Sequence, residues 1–151
     1  MRIVTLLFII GFLLTGCGVG SEQTSEDETS NENVNEIVAG EMSASLTEER
    51  PLVFQYQVTN QTENVVTLNF SSSQRIDFSV ETKTGDNLFL FSSVATFLQT
   101  LGKEEIIQGE SLEFEITLHD INLSQGEYIL AAWMTPKDGE TYKVTKEFIV
   151  R

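Results

Sequence analysis

Residues 46–151 of this 151-residue chain predict an all-β domain, an antiparallel two-sheet sandwich of eight or nine short strands with immunoglobulin-like topology. Three observations predict it. Apolar residues recur at every second position in run after run, which is the period of a half-buried strand. Asparagine, glycine and proline turn signals separate these runs. Nowhere in the region is a 3.6-residue helical period sustained.

Leu52, Phe54, Tyr56 and Val58 form the first inward row, alternating with Val53, Gln55 and Gln57. Asn60-Gln61-Thr62-Glu63-Asn64 has turn composition, and Val66, Leu68 and Phe70 resume the alternation, so these two runs are expected to pair as a hairpin. Ile76, Phe78 and Val80 share the next inward face, with Asp77 between them on the outward row. Lys83-Thr84-Gly85-Asp86 then turns the chain, using Gly85 for positive φ, into a strand from Leu88 to Phe91. Gln108-Gly109-Glu110 leads into Leu112, Phe114, Ile116 and Leu118, whose alternation with Glu113, Glu115 and Thr117 requires one solvated face. Glu127 to Met134 is nearly all apolar, with small Ala131 and Ala132, as a central strand covered on both faces would be. Trp133 is its expected core anchor. Pro136-Lys137-Asp138-Gly139 has β-turn composition, and Tyr142 to Val150 returns as the last strand, its rows slipping near Lys146 as at a bulge.

The first sixteen residues follow a different grammar. Arg2 is followed by an apolar run from Ile3 to Leu14 and then by small Thr15 and Gly16, the pattern of an export signal. Twelve helical residues rise only about 18 Å, short of the roughly 30 Å hydrocarbon core, so this run is no ordinary spanning helix. Leu14-Thr15-Gly16-Cys17 resembles the bacterial lipobox at all four positions. That resemblance implies a diacylglyceryl group, with palmitate-type chains, on the Cys17 thiol and cleavage between Gly16 and Cys17. The chain is then expected to be a lipoprotein held by membrane lipid on the extracytoplasmic face, since two or three acyl chains anchor a protein durably. Cys17 is the sole cysteine, which excludes an intramolecular disulfide and a site built on several thiolates. Residues 17–45 read as an acidic flexible tether. Gly18 to Ser45 contains no aromatic residue, no Lys and no Arg, and it carries Glu22, Glu26, Asp27, Glu28, Glu32, Glu36 and Glu41 without the ligand spacing of a calcium loop.

Charge and composition remove whole classes of function. Nine Lys and Arg against 23 Asp and Glu give a net charge of −14, which repels nucleic acid and anionic lipid headgroups. His119 is the only histidine, and its neighbour Asp120 points to the opposite face of a strand, so no hydrolytic triad is assembled locally. Asp77, Asp120 and Glu127 lack metal-ligand spacing around His119, and a solvated strand edge is the expected setting of that histidine. Scattered glycines form no phosphate loop, and neither a cofactor nor a metal is expected. The tripeptides beginning at Asn60, Asn69 and Asn122 match the glycosylation pattern but read as turns and strand ends in a bacterial chain. The chain is not expected to be an enzyme.

Val58-Thr59-Asn60, the row Val66, Leu68 and Phe70, the run Ser73-Gln74-Arg75-Ile76-Asp77-Phe78, Gly109-Glu110 and Gly126-Glu127-Tyr128 point to a relationship. Together they resemble the BsuPI intracellular proteinase inhibitor family over residues 46 to 150. The resemblance implies a small immunoglobulin-like sandwich in a family named for an inhibitor of a bacterial intracellular serine protease. Where that family commonly carries a Trp and a glycine-bearing loop, this chain has Phe91-Ser92-Ser93-Val94-Ala95-Thr96 followed by Phe97-Leu98-Gln99. The loops from Ser71 to Arg75 and from Ser92 to Thr100 are the expected binding region, with Ser73, Gln74, Arg75, Asp77 and Phe97 as candidate residues. Ser71-Ser72-Ser73-Gln74 either offers its main chain to an extended peptide or satisfies its own backbone through serine hydroxyls. Asp77 is expected to bond a neighbouring backbone group or to pair with Arg75. The expected partner is a protein, with an extracytoplasmic serine protease as the inhibitory target. The alternatives are a non-inhibitory scaffold or accessory subunit of a cell-envelope complex and, more distantly, a carrier of a small ligand or ion.

Overall fold

A computed structural model describes residues 40–151. Nine strands follow one another: β1 (Met42–Arg50), β2 (Val53–Asn60), β3 (Val66–Phe70), β4 (Ile76–Thr82), β5 (Asn87–Leu90), β6 (Gly102–Ile106), β7 (Ser111–Thr117), β8 (Gly126–Met134) and β9 (Thr141–Val150). The only helical element among the described residues is a single 3-10 turn, Phe91–Ser93. All pairings are antiparallel. One sheet has the order β1-β2-β7, a second has β5-β4-β8-β9, and β3 and β6 form a separate two-stranded ladder. The crossovers in these orders are those of an immunoglobulin-like sandwich.

Phe54, Tyr56, Val58 and Ile116 from the first sheet meet Phe78, Val80, Leu130, Ala132, Met134 and Phe148 from the second in one core. Phe54 packs edge-on against Phe148 across the layers, with ring centroids 5.4 Å apart. Burying each side chain of this size contributes roughly 1.5–3 kcal/mol, so the inward rows set the pairing register.

The expected hairpin between β2 and β3 does not form; β2 pairs with β1 and β7, and β3 pairs with β6. The turn-like segment after β2 is a corner rather than a reversal. The Asn60 N–H donates to the Glu110 carbonyl at 2.9 Å and the Gly109 N–H donates to the Asn60 carbonyl at 2.7 Å, which carries the β2–β7 ladder up to the bend. The Asn60 side chain, fully buried, then fixes the corner. Its Nδ2 donates to the carbonyls of Asn64 and Ile106, both at 2.7 Å, and its Oδ1 accepts from the Thr62 N–H and hydroxyl. All four of its hydrogen-bonding positions are used, which is what a fully buried amide requires.

Other expectations shift in detail. β1 starts at Met42, so residues 42–45 belong to a strand rather than to the tether, and Met42, Ala44 and Leu46 pack against the core. Leu52 lies in the β1–β2 turn at φ 61 rather than in the inward row. The hairpin turn at Gly85 forms as expected, with φ 90 there and β5 beside β4. β8 is central, between β4 and β9. Trp133, however, is buried on the outer row of β8, in register with Asp77, and not in the main core; Lys143 Nζ lies 4.5 Å over its ring. The bulge in β9 is not at Lys146 but opposite Trp133, where Ala132 pairs with Val144 and Met134 with Thr141, and Tyr142 turns to φ 55. Lys146 keeps its register with buried Leu130, an exposed cation on an inward row of an edge strand.

Candidate functional site

The loop joining β3 to β4 and the segment joining the 3-10 turn to β6 lie against each other. Ser73 binds the second segment twice, its N–H donating to the Leu98 carbonyl at 2.8 Å and its Oγ accepting the Leu98 N–H at 2.9 Å. The Ser72 hydroxyl accepts from the Gln74 N–H, and Gln74 Nε2 donates to the Ile76 carbonyl. Ser72 and Ser73 thus spend their hydroxyls on main-chain groups of their own domain rather than offering them outward.

Arg75 locks the base of this platform. Its Nε donates to Glu104 Oε1 on β6 at 2.7 Å, its Nη1 donates to the Ser72 carbonyl at 2.9 Å, and its guanidinium lies 4.5 Å over the Phe70 ring. A charge-assisted hydrogen bond in this half-buried setting is shorter and stronger than a neutral one. Gly102 stands where any Cβ would collide with that guanidinium, so the start of β6 is kept clear for Arg75.

Asp77 is on the outer row of β4, as its position in the strand implies, but it is buried rather than solvated. Its Oδ1 accepts from the N–H of Phe78 at 2.9 Å and of Ser92 at 3.0 Å, the second bond fixing the start of the 3-10 turn. Asp77 therefore bonds backbone, and Arg75 pairs with Glu104 instead. Phe97 is half-buried edge-on against Phe91, which stacks on Phe78 at 4.9 Å, which in turn meets Phe89 at 5.7 Å. Four rings thus run from the loop to the sheet, each contact adding about 0.5–1.5 kcal/mol beyond its buried area.

Ser73, Asp77 and Phe97 hold a loop that turns other side chains outward, while Gln74 and Arg75 brace the neighbouring segment. Val94, Leu98 and Leu101 are 68%, 74% and 88% exposed. They are the residues that sequence reasoning did not single out. The available signal was a run of eleven uncharged residues, Phe91 to Leu101, with no strand alternation to place its apolar members inside.

Elsewhere the described residues offer less chemistry. An open cavity of about 750 Å³ lies at the other end of the sandwich, between the β1–β2 turn and the last residues of β9, and is lined by Glu48, Arg50, Leu52, Ile149 and Arg151 among others. His119 and Asp120 are exposed in the turn after β7. No group of three or more His, Cys, Asp and Glu side chains converges among the described residues. Tyr56 is the most perturbed acid, its pKa pushed far above the ordinary phenol value by burial, against the opposing effect of a backbone hydrogen bond. Its hydroxyl donates to the Tyr142 carbonyl at 2.7 Å, tying the first sheet to the bulge of β9. This bond helps to hold the two layers together. Gly16 and Cys17, and the expected tether as far as residue 39, lie outside the described residues.

The model of a protein family described as BsuPI, intracellular proteinase inhibitor, matches residues 38–139, more than half of the chain. The chain belongs to the BsuPI family. The matched segment begins ahead of β1 and ends in the turn before β9, so it contains both loops of the site, Arg75 with its partner Glu104, and the Asn60 corner. No curated protein matches the chain. The family is described as one of intracellular proteinase inhibitors, and the exposed side chains of Val94, Leu98 and Leu101 lie within the matched part of the BsuPI domain.

Proposed function

We propose that the chain is a lipoprotein, anchored through Cys17 on the extracytoplasmic face of the membrane, whose BsuPI domain binds and inhibits a proteinase there without catalysing a reaction of its own. The observation that carries the binding role is the outward presentation of Val94, Leu98 and Leu101 on a loop tied down by Ser73 and Asp77. A loop already ordered before contact loses little conformational entropy on binding, which favours affinity. Support for the anchoring is Leu14-Thr15-Gly16-Cys17 and the apolar run before it. A chain exported by that signal meets proteinases outside the cytoplasm, so the serine proteases of that compartment are the targets to try.

The test is a panel of extracytoplasmic serine proteases incubated with the full chain in neutral detergent, alongside its Leu98→Asp variant. Stoichiometric slowing of at least one protease by the wild-type chain, weakened about tenfold or more by the substitution, is the expected result. A wild-type chain that leaves the whole panel unaffected would point to the non-inhibitory scaffold role in the envelope instead.

A further inference from the structure

We infer that the BsuPI domain engages its proteinase through side chains alone, on an apolar surface outside the substrate channel and surrounded by basic groups. This rests on the proteinase reading above and goes beyond it by naming where on the enzyme the domain sits.

An inhibitor that imitates a substrate must offer an extended segment whose N–H and C=O groups are free to pair with the main chain of the cleft, as any added strand does. The exposed loop fails this requirement at its centre. The Leu98 N–H is bound to Ser73 Oγ at 2.9 Å, and the Leu98 carbonyl accepts from both the Ser73 N–H at 2.8 Å and the Thr100 N–H at 3.0 Å. The bond from Thr100 closes a three-residue turn over Gln99, so the chain doubles back where a substrate would run straight. Nearer the 3-10 turn, the N–H groups of Val94 and Ala95 both donate to the Phe91 carbonyl. Threading this backbone into a cleft would break several internal bonds, each leaving a donor or acceptor to be re-paired.

The side chains remain free. Val94, Leu98 and Leu101 project from a segment without a single charge, and the nearest flanking cations are already paired, Arg75 with Glu104 and Lys103 with Glu105. A neutral apolar knob on a chain of net charge −14 is complementary to an apolar patch set in a positive surround. The burial of the knob supplies affinity, while the overall charge steers the encounter.

The experiment takes a serine protease that the full chain, in neutral detergent, binds or slows, and compares it with the same protease whose channel is filled by a covalent peptide chloromethyl ketone. Binding to the blocked enzyme is expected within about threefold of the open enzyme. Leu98→Asp and Leu101→Asp are expected to weaken both forms about tenfold or more at unchanged melting temperature. Association is expected to slow as salt rises from about 50 to about 500 mM. No cleavage within residues 91–101 is expected on prolonged incubation with the open enzyme. Loss of binding to the blocked enzyme, a cut mapped inside the loop, or association indifferent to salt overturns the inference while leaving inhibition standing. If neither form of any protease is bound, the proteinase reading itself fails and takes this inference with it.

Discussion

Tyr56 and Asn60 are two fully buried polar residues on one strand, and each closes a different seam of the molecule. Tyr56 joins the layers through its hydroxyl, which donates to the Tyr142 carbonyl at 2.7 Å. Its pKa in the folded chain is raised above the unfolded value, chiefly by burial. The native state therefore keeps a proton that the unfolded chain releases above about pH 10. The resulting stabilisation is complete below that pH and is lost progressively as the solution becomes more alkaline. Urea denaturation between about pH 7 and 11 is expected to show this decline, with Tyr142, also raised by burial, adding to it. Tyr56→Phe is expected to cost about 1 kcal/mol at neutral pH and to flatten the alkaline decline. Asn60→Ala is a harsher change, because the Ile106 carbonyl loses its amide donor and the Thr62 N–H loses its acceptor, while the Thr62 hydroxyl proton and the Asn64 carbonyl are left only with each other. A loss of about 3 kcal/mol in the same assay is expected, and a change below about 0.5 kcal/mol would show that the corner does not depend on this amide.

At the scale of elements, the strands legible in the sequence are those whose inward rows carry large side chains. Phe54, Tyr56 and Val58 mark β2, and Phe114 and Ile116 mark β7, because bulky apolar residues at every second position are what a strand with one buried face requires. β1 is hard to see because Met42 and Ala44 are modest in size and sit among serines at the end of an acidic stretch. β6 is hidden because its inward positions are Gly102, Glu104 and Ile106, two of them reserved for Arg75 rather than for the core. Pairing is harder still. Nothing near Asn60 in the sequence announces that its amide reaches Ile106, forty-six residues away, which converts an apparent hairpin turn into a corner. The exposed loop from Phe91 to Leu101 is located by its neighbours, but its exposed members follow no period. Its anchorage is testable: Asp77→Ala removes the acceptor for the Ser92 N–H. Amide exchange is expected to accelerate at Ser92 and Leu98 while Val58 and Leu130 stay protected, and equal acceleration everywhere would contradict a local anchor.

For the whole molecule, location and fold are separate questions with separate determinants. The residues that form the BsuPI domain say nothing about compartment, whereas the lipid anchor proposed at Cys17 would bear on compartment alone. Cys17→Ala is expected to leave the chain unprocessed or to shed it from the membrane fraction, with the domain still folded. The reading fails if fractionation finds this variant membrane-bound at the mature mass.

Lys146 carries a further consequence. A bare outer edge on β9 would invite the same edge of another molecule, joining two sandwiches into a closed dimer through one continuous sheet. A cation on the row of Leu130, with the kink at Tyr142 earlier in the same strand, makes that union unfavourable. The outer edge of β9 is thereby blunted against a second copy of the same domain.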